Sequence, residues 1–255
     1  MSLIDGINYV VFLKLVEIFK SVEGIYCVSF NSKLFKEILY SNSFFLNEEI
    51  ILNFCNSQLK IKAKKMLDYS IKNKINIISI DSKYYPKCLR DTILPPFCIY
   101  ITGDFRKYLS YRKIYIYKSN KMSRYGNDII RNIVKNELVK SKCLILKKDF
   151  EIFKFENISQ IKDTEKINIY YYDKLNEYSK IMEIELILSI IDMIIIPEAT
   201  YDKKLSMTID IMLEFGKDIY VFPNSIFSKH SYFSNYLIKN GANVIISTDD
   251  INNIL

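Results

Sequence analysis

A chain of 255 residues with 36 Lys and Arg against 29 Asp and Glu carries a formal charge of +7, a mild bias toward anionic partners that a solubility-tuned surface would show equally well. Its five cysteines are odd in number and never paired as C-x-x-C, which argues against a disulfide framework and a zinc site, and a single histidine leaves Ser-His-Asp chemistry little support. No apolar run approaches the about 20 residues that span a bilayer; the longest, Ile187 to Ile196, is interrupted by Ser189 and Asp192.

The opening stretch MSLIDGINYVVFLKLVEIFK has no basic leader ahead of its apolar residues, so a cytoplasmic protein without membrane contact is expected. Tyr9, Phe12, Leu13, Leu15, Val16 and Phe19 recur at helical spacing, with Gly24 as the stop signal. Further helices are predicted over Ser32 to Tyr40, from Asn47 to Cys55, and over the Lys-rich stretch from Gln58 to Lys72. The lysines there suit the solvated face of a small helical domain.

At Ile75 the pattern changes to the β-branched run I-N-I-I-S-I, ending at Asp81. Strands are then predicted at Ile114 to Tyr117, Cys143 to Leu146, Ile167 to Tyr172, Met193 to Ile196, Ile219 to Phe222 and Val244 to Ile246. Helices are predicted at Gly126 to Val139, Tyr178 to Ile190, Ser206 to Phe215 and Ser231 to Asn240. Short strands with few polar residues are what a parallel sheet covered on both faces requires. The pattern predicts an α/β fold, an extended Rossmann-like doubly wound parallel sheet over residues 75–255, preceded by a small helical domain over residues 1–74.

In such a sheet, ligands sit beyond the carboxyl ends of strands, where helix N-termini present free N–H groups to an anion. The loop from Lys118 to Gly126 occupies that position and offers Lys118, Ser119, Asn120, Lys121, Ser123 and Arg124. It reads equally as a phosphate cradle and as a capped helix start with surface lysines. A second such loop runs from Pro197 to Lys204 and contributes Lys203 and Lys204. With six glycines in the whole chain and no G-x-G-x-x-G, dinucleotide chemistry is not expected, nor any other cofactor. Glu183 and Glu185 point to different helix faces, which disfavours a carboxylate pair for acid–base work. Tyr170 to Tyr172 could stack on unpaired bases, although amphipathic strand ends account for them more simply.

Several anchors recur in order: Tyr85-Pro86 with Leu89, Pro95-Pro96, Gly103-Asp104, and Lys118 to Gly126. Downstream lie Glu198-Ala199, Thr208, Gly216-Lys217, Ile219 to Pro223, Ser231, Asn235, Leu237-Ile238 and Gly241-Ala242. Over residues 80 to 250 this series resembles the DprA/Smf family of bacterial DNA-processing proteins. The resemblance implies a SAM-like helical start and single-stranded DNA bound along a basic pocket. It also implies dimers, and loading of a RecA-type recombinase during natural transformation, all without catalysis.

The departures are as specific. Lys118-Ser119-Asn120 stands where the family has G-S-R, so the arginine fork that grips a phosphate is gone. Lys147 to Lys154 replaces a glycine-rich stretch, Glu183-Ile184-Glu185 replaces R-N-R, and Lys203-Lys204-Leu205 replaces S-G-S. The expected DNA contacts are therefore Lys118, Ser119, Lys121, Arg124, Lys203 and Lys204, in a partly degraded pocket. A relative that has lost DNA binding and acts through protein partners is the alternative, and an enzyme acting on a phosphorylated small molecule, for which the chain offers no evident catalytic acid, base or metal site, is a third reading.

Overall fold

The computed structural model describes residues 4, 7–92, 94–119, 122–147, 150–155, 161, 166–172 and 180–254. The chain begins with helices α1 (Tyr9–Phe19), α2 (Val22–Val28), α3 (Ser32–Ser41), α4 (Glu48–Cys55) and α5 (Ser57–Lys72). Strand β1 (Asn76–Ser79), the short helix α6 (Lys87–Arg90), β2 (Cys98–Thr102) and α7 (Phe105–Ser110) follow. The central part holds β3 (Arg112–Ile116), α8 (Arg124–Lys135), α9 (Glu137–Lys142), β4 (Cys143–Ile145), β5 (Phe150–Phe155), β6 (Ile167–Tyr172) and α10 (Lys180–Ile190). The chain closes with β7 (Met193–Ile196), α11 (Lys203–Glu214), β8 (Asp218–Val221), α12 (Tyr232–Lys239), β9 (Asn243–Val244) and α13 (Thr248–Asn253).

The amino-terminal helices start where side chains can take up free N–H groups. Asn8, Ser21, Asn31, Asn47 and Asn56 each accept a backbone N–H at the first turn of α1 to α5. Gly24 does not stop α1. That helix ends at Lys20 in the left-handed conformation (φ 66°), and Gly24 lies inside α2, because Ser21 caps a new helix at once. Phe19 stacks on Phe35 with centroids 4.9 Å apart, Phe54 lies tilted against Phe35 at 5.2 Å, and the three fill the centre of these helices.

The predicted doubly wound sheet is present as five parallel strands in the order β4-β3-β7-β8-β9. Alternation of its side chains divides the core in two. Ile194, Ile196, Ile219 and Val221 pack with Leu188, Leu205, Met212 and Leu237 of α10, α11 and α12. Ile114, Met193, Ile195 and Ile145 pack on the other face with Ile133, Val139 and Ile251 of α8, α9 and α13. Both faces are thus covered, which is why β7 reads as the unbroken apolar run Met-Ile-Ile-Ile, every residue buried.

Residues Ile167 to Tyr172 form a strand as predicted, but it joins a second, mixed sheet ordered β1-β2-β6-β5. There β6 runs antiparallel to β2 and parallel to β5. Neither β2 nor β5 stands out in the sequence, and β6 takes its place through them. The predicted helix from Gly126 to Val139 is broken at Asn136, whose carboxamide oxygen accepts from Leu138 and Val139 N–H and starts α9 afresh. The first residues of the helix predicted from Tyr178 lie outside the described residues. Helices α11 and α12 end as their glycines suggest, with Gly216 at φ 62° and Gly241 at φ 95°. Among the described residues, no helix is long and apolar enough to cross a membrane.

Candidate nucleic-acid interface

From β3 the chain crosses to β4 on one side, while from β7 it crosses to β8 on the other. Because β3 and β7 are parallel neighbours, with Ile116 opposite Ile195, their carboxyl ends lie at the switch point of the winding, the place where sheets of this kind form a binding crevice. Three loops meet there: the described residues 117–119 and 122–123 after β3, 197–202 after β7 and 222–231 after β8.

The centre of this meeting point is a buried carboxylate. Glu198 is 1% exposed, and its Oε2 accepts from the Ser123 backbone N–H at 2.7 Å. Its Oε1 accepts from the Ser123 hydroxyl and from Asn224 Nδ2, each at 3.0 Å. Ser123 is the N-cap of α8, so the amino end of that helix is met by an internal anion. Gly126 makes the approach possible: a Cβ there would lie 2.6 Å from Met122 Cγ and 2.9 Å from Glu198 Oε2.

Neighbouring contacts lock the loops to one another. Tyr125 donates to the Pro223 carbonyl at 3.0 Å, and Ser234 Oγ accepts from Ala199 N–H at 2.7 Å. Asn224 and Asn235 exchange hydrogen bonds, the Asn224 N–H to Asn235 Oδ1 at 3.3 Å and Asn235 Nδ2 to the Asn224 carbonyl at 3.0 Å. Glu198-Ala199, Pro223 and Asn235, read from the sequence as pattern matches, thus act as ties between strand ends.

Around this anchored centre the cations point outward. Lys118, Arg124, Lys203 and Lys204 are exposed, and Ser119 is half-buried. Arg124 lies 3.7 Å from Asp128. Among the described residues, no ion pair holds Lys118, Lys203 or Lys204. Lys203 and Lys204 open α11, where their charge adds to the positive end of the helix dipole, although Asp202 caps that end by accepting from Lys204 N–H at 3.0 Å. Burial, followed by the nearby Asp202 carboxylate, pushes the Tyr117 phenol above its usual range. Lys121 lies outside the described residues.

Some of the positions that depart from the family pattern lie among the described residues. Lys147 takes φ 68°, and residues 150–155 form β5 of the second sheet. Glu183 and Glu185 lie on α10, where burial, followed by the nearby Glu214 carboxylate, pushes the Glu185 carboxyl up.

The fold is that of DNA processing protein A. The chain superposes on the DNA processing protein A of Helicobacter pylori, described for its single-stranded DNA binding mode, with a TM-score of 0.52 at 17% identity over 70% of this chain and 95% of that one. It superposes on DNA processing protein A (DprA) of Streptococcus pneumoniae with a TM-score of 0.53 at 15% identity, over 94% of this chain and 90% of that one. No family model and no curated protein matches the sequence.

Proposed function

We propose that this chain is a divergent DprA/Smf protein that binds single-stranded DNA without catalytic turnover, mainly through electrostatics and without sequence preference. The observation that carries the reading is the set of exposed cations, Lys118, Arg124, Lys203 and Lys204, flanking the switch-point crevice of this fold. Lys121, outside the described residues, is assigned to the same contacts from the sequence alone. The lost glycines and arginines mark a degraded family pocket in which lysine charge takes over from a fitted phosphate cradle.

By the same resemblance the protein works in the cytoplasm, in DNA uptake, natural transformation and recombination, and delivers DNA to a RecA-type recombinase. Residues 1–74 and 75–255 serve as its two domains. A homodimer is part of the proposal. Leu213, Tyr236, Val244 and Ile246, exposed on α11, on α12 and around the edge strand β9, offer apolar surface and an unpaired strand edge to a second copy.

The test is fluorescence anisotropy of the purified protein with labelled oligothymidine at low and near-physiological salt. Micromolar or tighter binding that weakens steeply with salt is expected. The second reading, a degenerate relative acting only through protein partners, draws on Glu183 and Glu185, which place carboxylates where the family has cations. Absence of binding even at low salt would favour it.

A further inference from the structure

We propose that a cavity at the amino-terminal ends of β3, β7 and β8, on the opposite edge of the parallel sheet from the DNA loops, binds a small phosphorylated molecule. The cavity measures about 300 Å³ and is walled by Tyr84, Cys88 and Tyr108 beside Lys87, Lys113, Lys217 and Asp192. Lys113 is the second residue of β3, while Asp192 and Lys217 immediately precede β7 and β8. The parallel register of these neighbouring strands brings them to one end of the sheet.

The lining is short of negative charge. Three lysines face one aspartate, a formal excess of two positive charges. The Lys113 side chain is only 14% exposed, yet its ammonium lies 3.9 Å from Asp192, beyond hydrogen-bonding reach. The Asp192 carboxylate is drawn instead to the Lys113 backbone N–H at 2.8 Å. Lys113 Nζ donates to the Tyr111 carbonyl at 3.2 Å and sits 5.0 Å from the centre of the Tyr108 ring. Lys217 Nζ donates to the Ser189 carbonyl at 3.1 Å.

An ammonium has three N–H donors, so each of these two lysines keeps donors for a further acceptor. Burial pulls the Lys113 pKa down, more than the Asp192 carboxylate restores, and Lys217 adds to the depression. A ligand bearing close to two negative charges relieves that imbalance. A phosphate monoester, at about −1.5 to −2, has that charge and several strong acceptor oxygens. A volume of about 300 Å³ suits a small molecule rather than a nucleic-acid strand, and the site stands whether or not the loops of the opposite edge bind DNA.

Cys88 lines the cavity and reports on its occupancy. The experiment follows alkylation of individual cysteines in the intact protein by mass spectrometry. It uses inorganic phosphate in one arm, a nucleoside monophosphate in another, and sodium chloride of equal ionic strength as control. Cys27, which is exposed, monitors general effects, and Cys98, whose thiol burial pushes up to about 11, supplies a slow reference. Saturable protection of Cys88 is expected, about tenfold at a ligand concentration about ten times Kd. It should vanish in Lys113→Met/Lys217→Met and persist in Lys203→Ala/Lys204→Ala. Lys217→Gln alone, at a half-buried position, should weaken protection even if the double variant fails to fold. Equal slowing at Cys27, no protection by either phosphate compound, or undiminished protection in Lys217→Gln would overturn the proposal.

Discussion

Replacing Glu198 by alanine is expected to destabilise the protein by about 3 kcal/mol and to lower its melting temperature by about 6 to 12 °C. The side chain is 1% exposed and accepts from the Ser123 N–H, the Ser123 hydroxyl and the Asn224 amide. Alanine strips all three donors of their acceptor in a place where water has little access. Hydrogen bonds to charged groups are individually worth about 1.5 to 3 kcal/mol, and an abandoned buried donor costs a similar amount. Glu198→Gln keeps the shape but turns one acceptor into a donor that faces another donor, so about half the loss should remain. Urea unfolding followed by circular dichroism measures both. A loss below about 1 kcal/mol for the alanine variant would show that the carboxylate does not hold the three loops together.

The second large effect concerns binding. Replacing Lys118, Arg124, Lys203 and Lys204 together by alanine should weaken oligothymidine binding about 100-fold at low salt. It should also flatten the slope of log affinity against log salt by about 2.8, since each phosphate contact to a single strand contributes about 0.7. Arg124 should contribute least, because Asp128 lies 3.7 Å away and already offsets part of its charge. All four side chains are exposed, so the fold should survive, with stability changes within about 0.5 kcal/mol for each substitution. Unchanged affinity and slope in a folded quadruple variant would place the DNA elsewhere.

What could be read from the sequence follows the range of the forces involved. The buried run at β7 and the positive-φ glycines after α11 and α12 leave local signatures, and the structure has them where the sequence points. Asp249 and Asp250 read as a cap before a terminal turn. Asp250 does close a capping box, with Ser247 as the N-cap. Strand pairing is not local. Residues Ile167 to Tyr172 look like any short buried strand, and only their partners Ile99 to Thr102, nearly 70 residues earlier, assign them to the mixed sheet.

The site divides the same way. The exposed lysines were legible as residue types in loops after strands, and Glu198 as part of a pattern. Its work as an internal anion was not, because its partners Ser123 and Asn224 lie 75 and 26 residues away and meet it only when three strand ends are brought level. The depleted glycines point to a changed pocket; in the structure the three loops are tied around Glu198, and Lys118, Lys203 and Lys204 lie exposed on or beside them.

Photochemical cross-linking of the intact protein to an oligonucleotide carrying 5-iodouracil, with the modified peptides identified by mass spectrometry, tests the central claim most directly. Tyr125 and Tyr201, 45% and 66% exposed in or beside the two cationic loops, are suitable acceptors. Cross-links within residues 117–125 and 197–208 are the predicted result. Cross-links confined to the amino-terminal helices or to the opposite edge of the parallel sheet would contradict it.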